Sequence, residues 1–222
     1  MSVSVLCPVR NGARYLAEAL ASALAQTLPA DEVVVVDDGS SDDSAAIAES
    51  FAGVRVVRTG HRGVAAARNT LVAEARGDLV AFLDADDTWT PDKLAIQVAY
   101  MDGNPAVGVS FTHQRVHLEA GVERPRWLPR EALDTPTPIV ATCAMVARRA
   151  LFASVGAFDE TLVRGEDTDW LFRAVAAGAG YVILPDALLV RRVHADNLTH
   201  GSPGWRSELF GHLRRAVQRN RR

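Results

Sequence analysis

The sequence predicts an α/β fold organised around a mostly parallel sheet, and three observations carry that expectation. Short β-branched runs alternate with helix-length segments between residues 3 and 83 in the order βαβαβαβ, the rhythm of strands joined by crossover helices. The second run holds four consecutive valines, Val33, Val34, Val35 and Val36, the pattern of a strand buried on both faces. With 222 residues, 48% of them hydrophobic, the chain can fill one large core or two tightly fused halves.

Taken in order, residues 3–9 form the first strand, apolar and rich in β-branched side chains. Asn11 is placed to cap the following helix, along which Leu16, Leu20 and Leu24 recur at helical spacing; Pro29 closes that region. Residues 32–36 with Asp37 form the second strand, 40–50 a turn and helix, 54–58 the third strand, 63–75 the third helix and 79–83 the fourth strand. Thr90-Pro91-Asp92 then starts a helix that runs to about Tyr100. Thr90 is its capping hydroxyl, Pro91 its first helical residue, and Asp92 sits on the positive end of the dipole. Beyond this the rhythm changes. Residues 107–113 read as a strand, 119–138 as a Pro-rich, irregular and mobile surface loop, 139–146 as an apolar run, 148–154 as a short helix and 166–177 as a longer one. Residues 181–184 and 188–194 read as two strands, and the tail from Pro203 as a helix.

The net charge of −3 gives no footprint for nucleic acid, but it hides an asymmetry. Residues 205–222 carry a net charge of +5, and the rest of the chain −8. The basic residues are 23 Arg and a single lysine, Lys93. Cys7 and Cys143 each lie in an apolar run and read as buried free thiols. The N-terminus lacks the basic start and apolar core of a signal peptide, and no apolar run approaches the ~20 residues that span a bilayer. A cytoplasmic, reducing setting is the expectation.

Four motifs carry chemistry. Asp37-Asp38-Gly39-Ser40-Ser41-Asp42-Asp43 stands at the carboxyl end of the second strand, where open α/β sheets bind ligands. Asp38 there can accept hydrogen bonds from a base or a ribose; Asp42 and Asp43 read as turn and helix-capping residues. Asp84-Ala85-Asp86-Asp87 ends the fourth strand. Alternate side chains of an extended segment share a face, so Asp84 and Asp86 can point at one cation. Hard oxygen ligands suit Mg2+ or Mn2+, and a cation relieves the repulsion among three carboxylates; the plainer reading is a polar turn. Gly165-Glu166-Asp167-Thr168-Asp169-Trp170 opens a helix. Its acids suit the helix dipole, while Asp167 can also act as a general base and Trp170 can offer a flat face to a sugar. His194 follows the last strand, as a structural residue or as a metal ligand.

Together these segments resemble family-2 glycosyltransferases of the GT-A fold. The matches are Val3-Ser4-Val5-Leu6-Cys7-Pro8-Val9-Arg10-Asn11, Ala23-Leu24-Ala25-Gln26-Thr27, Val34-Val35-Val36-Asp37-Asp38-Gly39-Ser40, Ala67-Arg68-Asn69 and the stretch from Gly77 to Asp87. Gly165-Glu166-Asp167 and a late Arg191-x-x-His194 complete them. The resemblance covers about residues 3–197. It implies a single Rossmann-like GT-A domain, with a mostly parallel mixed sheet flanked by helices, over residues 1–202. Residues 1–100 would bind the nucleotide and 101–202 the acceptor, followed by a basic amphipathic helix over 203–222. It also implies metal-dependent transfer from a nucleotide diphosphate sugar, a UDP-sugar by expectation, with inversion. By the same analogy Pro8, Val9, Arg10, Asp38, Arg68, Asp84 and Ala85 line the nucleotide, with Asp38 toward uracil and Asp84 near the ribose or metal. Asp86 and His194 bind Mn2+ or Mg2+, Asp167 is the general base, and Glu166 and Trp170 meet the acceptor. The acceptor class stays open among saccharide, lipid-linked and peptide. Arg10 stands where the family usually has an aromatic residue, which puts base stacking there in doubt. The Gln-x-x-Arg-Trp motif of processive synthases is absent, which favours addition of one or a few sugars.

Other readings fit less well. A dinucleotide-dependent dehydrogenase needs Gly-x-Gly-x-x-Gly after the first strand, where this chain has Pro8-Val9-Arg10-Asn11-Gly12. A sugar nucleotidyltransferase needs a Gly-rich basic loop there. A non-catalytic nucleotide-sugar-binding relative should have lost Asp86 or Asp167. In the tail, Trp205, Leu209, Leu213 and Val217 form a helical stripe beside Arg206, Arg214, Arg215, Arg219, Arg221 and Arg222. That stripe either docks on the acidic body or lies on an anionic membrane surface, giving peripheral membrane contact.

Overall fold

The computed structural model describes residues 1–197; the helix expected over 203–222 lies outside the described residues. Four parallel strands open the sheet: β1 (Val3–Val9), β2 (Glu32–Asp38), β3 (Val54–Thr59) and β4 (Leu79–Phe82), in the spatial order β3-β2-β1-β4. Register is set by pairs such as Cys7 with Val35 and Val5 with Ala81. Val34, Val35 and Val36 are fully buried, as a strand covered on both faces requires. The crossovers are α1 (Ala13–Leu24), α2 (Ser44–Glu49) and α3 (Val64–Glu74).

Two local expectations change here. Leu16 and Leu20 are buried in α1, but Leu24 is exposed and Ala23 takes the inward position. A spacing of four residues advances about 40° beyond a full turn at each step, so the stripe drifts off the core. Asn11 does not cap α1. Its φ is 52°, and its side-chain oxygen accepts the Ser41 N–H at 2.8 Å. The start of α1 is capped from the β2 turn instead: Ala13 N–H donates to Asp42 and Gly12 N–H to the Ser44 hydroxyl, at 3.0 and 2.9 Å.

After β5 (Thr88–Trp89), α4 spans Lys93–Gly103. The carbonyl of Thr90, not its hydroxyl, accepts the Lys93 N–H, and the buried hydroxyl has no partner among the described residues, so Thr90 does not act as a side-chain cap. Lys93 is itself fully buried. Its ammonium lies 2.5 Å from Gln97 Oε1 and 4.3 Å from the centre of the Trp89 ring, and burial lowers its pKa to about 7.

The second half completes the same sheet. β6 (Val107–Leu118) runs five residues beyond the expected strand. It pairs in parallel with β9 (Gly180–Val193), a single strand where two were expected. The register jumps from Phe111–Ile183 to His113–Ala187, so Pro185 is carried in a bulge and does not end the strand. β8 (Val146–Arg148) lies antiparallel between β4 and β6, and β5 pairs antiparallel with β9. The result is one mixed sheet, order β3-β2-β1-β4-β8-β6-β9-β5, with β7 (Thr137–Pro138) on β6. The stretch 119–138, expected to be an irregular loop, contains α5 (Glu131–Asp134) and β7. Its Leu128 and Ala132 pack with Val193 in a small second core. α6 (Ala150–Val155) and α7 (Glu166–Ala176) cover the sheet through Phe152 and Trp170, joined by Phe158 from the segment between them. Among the described residues no helix is long and apolar enough to cross a membrane.

Candidate active site

The carboxyl ends of β1, β2 and β4 bring Pro8, Val9 and Arg10, then Asp38, then Asp84 to Asp87 to one end of the sheet. Pro8 and Val9 are buried in β1, and Arg10 beyond them is exposed. Asp38 is buried at the end of β2, where its carboxylate gathers the turn between β3 and α3. Oδ1 accepts the Arg62 N–H at 2.8 Å and the Thr59 hydroxyl at 3.4 Å; Oδ2 accepts the Gly63 N–H at 2.8 Å and faces His61 Nδ1 at 2.9 Å. Those four contacts fill a carboxylate's acceptor sites. Gly39, next in the chain, has φ 73°, and a β-carbon there would sit 2.8 Å from the His61 backbone nitrogen. The two turns meet only because that carbon is missing.

The β4 turn is built differently. Asp84 accepts a hydrogen bond from Arg68 Nη2 at 2.9 Å. Asp86 Oδ2 lies 3.0 Å from His194 Nε2 and accepts from Asn197 Nδ2 at 2.8 Å, so the two expected metal ligands, which are 108 residues apart, are in contact. Asp196 N–H donates to His194 Nδ1 at 3.3 Å. Asp87 is buried and accepts the Arg192 N–H at 2.9 Å. Burial and the charge of Asp84 push the Asp86 carboxyl above the usual range, against the pull of His194. Burial, then Asp86 and Asp84, push Asp87 well above it. Ligand atoms of Asp84, Asp87 and Cys143 also lie within 4.8 Å of one another. Carboxylate oxygens crowded together, with an imidazole beside them, are a donor set that fits Mg2+ or Mn2+.

Arg68 joins this turn to α7. It is buried on α3, and it bonds Asp84 with one nitrogen and Glu166 with another. Burial alone would favour loss of its proton, but the two carboxylates outweigh it and hold the guanidinium charged. Asn69, next in the chain, takes the Phe158 N–H and gives hydrogen bonds to the Phe158 carbonyl and Glu160, fixing the segment that leads into α7. Asp167 is half-buried in the first turn, with Oδ1 accepting the Thr168 N–H at 2.7 Å.

The two expected acceptor contacts are displaced by the fold. Trp170 is fully buried, stacked on Phe152 with ring centres 4.2 Å apart, and its Nε1 donates to the Gly156 carbonyl at 2.9 Å. No face of it is left for a sugar. Glu166 is buried against Arg68, which uses its carboxylate to anchor the helix start. Tyr15 and Asn197 also reach His194 and Asp86, and no motif in the sequence points to either; Cys143, a buried thiol as expected, lies beside Asp84 and Asp87. Tyr15 had a signal, since it shares the inward face of α1 with Leu16 and Ala19, but nothing in the sequence ties that face to His194.

A family model described as glycosyl transferase family 2 matches residues 4–155. An uncharacterized glycosyltransferase of Rickettsia prowazekii is 29% identical over a 210-residue alignment that covers 89% of this chain and 66% of that protein. The succinoglycan biosynthesis protein ExoU of Rhizobium meliloti is 34% identical over 214 residues, 82% of this chain and 59% of its own length. The chain therefore spans less than two thirds of the curated relatives it matches. Among solved structures, S. aureus TarS 1–349 in complex with UDP-GlcNAc superposes with a TM-score of 0.77 at 22% identity, covering 97% of this chain and 65% of that one. The mannosyltransferase PcManGT from Pyrobaculum calidifontis, in complex with GDP-Man and Mn2+, gives 0.74 at 27% identity, covering 97% and 64%. The superpositions give the chain the GT-A fold with its mixed sheet, and the family model over residues 4–155 shows that the chain belongs to glycosyl transferase family 2.

Proposed function

We propose that this domain moves a sugar from a nucleoside diphosphate sugar, with UDP as the carrier, to an acceptor hydroxyl, with inversion at the anomeric carbon and without processivity. The observation that supports it best is the Arg68 bridge. One buried guanidinium ties the Asp84 turn to the first turn of α7, so the cation-binding end of β4 and the carboxylate of Asp167 belong to one rigid unit.

In this reading Pro8, Val9, Arg10 and Ala85 frame the nucleoside, and a base N–H takes the place of His61 on Asp38. Asp84 approaches the ribose. Asp86 and His194 hold Mn2+ or Mg2+. When bound, the cation offsets charge on the leaving diphosphate. Asp167 takes the proton of the acceptor hydroxyl as that oxygen attacks C1, and the nucleoside diphosphate departs from the opposite face. Thr168 occupies Oδ1 of Asp167, so Oδ2 is the oxygen left to receive the proton. One carboxylate suffices, where glycoside hydrolases pair two. The acceptor is a saccharide, a peptide or a lipid-linked glycan; the last would suit the basic residues of 205–222, which an anionic lipid surface attracts.

Asp167→Asn is expected to keep donor affinity and to lower turnover by about 10²–10⁴-fold. Loss of donor affinity in step with turnover overturns the base assignment. Calorimetry with Mn2+ present should find binding of UDP and none of NAD; the reverse result removes the glycosyltransfer reading itself.

A further inference from the structure

The imidazole of His194 is held by more than its two nitrogens. The ring of Tyr15, on α1, lies against it with centroids 4.7 Å apart and planes tilted by 43°. The guanidinium of Arg192 sits 4.7 Å from the centre of the same Tyr15 ring. Arg192 is also fastened to the metal turn: its backbone N–H donates to Asp87, and its Nε donates to the Asp86 carbonyl at 3.2 Å. Its outer nitrogen pairs with Glu18, one turn along α1 from Tyr15. The Tyr15 hydroxyl lies 3.1 and 3.2 Å from the two oxygens of Glu119, just past the end of β6. Tyr15 is 7% exposed, so its aromatic area is spent on these neighbours and not on solvent.

We infer that Tyr15 is a positioning residue for the divalent cation held by Asp86 and His194. It fixes the plane of the imidazole so that Nε2 stays aimed at the Asp86 carboxylate. The inference rests on the metal reading proposed above. The physical reason is that a ring held only at Nδ1 and Nε2 can still swing about the line joining its contacts. A neighbour packed on its face removes that freedom. A cation also needs both ligands at once, so every other ring orientation lowers its affinity. Outer-shell partners of ligating histidines commonly change metal affinity by about 10–100-fold. Arg192 adds a second restraint, because its cation–π contact with Tyr15 and its hydrogen bonds to Asp86 and Asp87 lock the strand end to α1.

The test is a Mn2+ titration of the full chain followed by electron paramagnetic resonance, with Asp86→Ala and His194→Ala as references. Tyr15→Leu should weaken Mn2+ about tenfold or more, and Tyr15→Phe, which keeps the ring, should stay within about threefold of the parent. Tyr15→Leu should add little on top of His194→Ala, because the two act through one ligand. The imidazole proton resonances of His194, identified by their loss in His194→Ala, should shift in Tyr15→Leu as the neighbouring ring current disappears. If Tyr15→Leu does not fold, Tyr15→Met, which also removes the ring and keeps an apolar side chain, takes its place with the same expected loss, and the same change made in His194→Ala should add little. Mn2+ affinity unchanged in Tyr15→Leu, or in Tyr15→Met where that variant is used, with His194→Ala impaired, overturns the positioning role alone. Mn2+ affinity unchanged in both Asp86→Ala and His194→Ala overturns the metal reading on which it stands.

Discussion

Asp38 and Asp86 stand in comparable places, one at and one just past the carboxyl end of a buried parallel strand, yet their surroundings are opposite in kind. Asp38 receives four contacts, two of them backbone N–H groups, and in return holds the β3–α3 turn in place. Asp86 shares its turn with two further carboxylates, and burial together with Asp84 drives its carboxyl toward the protonated form. The first turn is tied by donors that the protein supplies to one carboxylate; the second crowds three carboxylates, of which Arg68 meets only Asp84. The same sequence signature, an acidic run after an apolar strand, thus yields a carboxylate tied to a neighbouring turn at β2 and a crowded carboxylate cluster at β4. What separates them is the donors the rest of the chain delivers.

The sharpest way to break this contrast is Asp86→Ala. Transfer activity and Mn2+ binding should both disappear while the circular dichroism spectrum is kept, since the turn gives up a charge it holds at a cost. Full activity in the variant, or in excess chelator, would place the cation elsewhere or nowhere. The next effect is on stability. Asp38→Asn leaves only one oxygen to serve the Arg62 and Gly63 N–H groups. Hydrogen bonds to charged groups contribute about 1.5–3 kcal/mol each, so a loss of about 2 kcal/mol is expected. For a domain of this size that lowers the melting temperature by roughly 4–8 °C. An unchanged melting temperature would mean that those contacts carry nothing.

The smallest effect has the opposite sign. In excess chelator, Asp87→Asn should raise the melting temperature at neutral pH by a few degrees. Asp87 keeps its proton in the fold at pH values where the unfolded chain, with a carboxyl pKa of about 3.9, has lost it. The folded state then binds more protons than the unfolded one, so parent stability falls as pH rises from about 4 up to the folded-state value. The asparagine variant escapes that decline. Its advantage should therefore open above about pH 4, level off beyond the folded-state pKa, and vanish in acid. A variant less stable than the parent at neutral pH would place Asp87 with Asp38 as a scaffold residue.

The part of the molecule that sequence described best is the part whose pairing is local. Each strand from β1 to β4 follows its predecessor through one helix, and burial on both faces writes itself as unbroken valine and leucine. The second half resisted for stated reasons. Pro185 looks like a strand terminator, yet the β6–β9 ladder absorbs it in a bulge, which only the partner's register reveals. Thr90 has the composition of a cap but uses its carbonyl. Trp170 opens a helix beside an expected catalytic acid, which suggests a sugar platform. Its spacing with Ala174 marks the buried face, and that periodicity was the better guide. Asp86 and His194 were each legible as candidates; their meeting was not, because it depends on the length of β9.

Lys93 lends the chain a property unrelated to sugar chemistry. It is the sole lysine in the sequence, and its amine is enclosed between Trp89 and Gln97 with no surface exposed. A water-soluble acylating reagent can reach it only when the packing around α4 comes apart. The rate at which mass spectrometry finds Lys93 labelled under native conditions then reports the opening of that core, at one known atom and without any engineered probe.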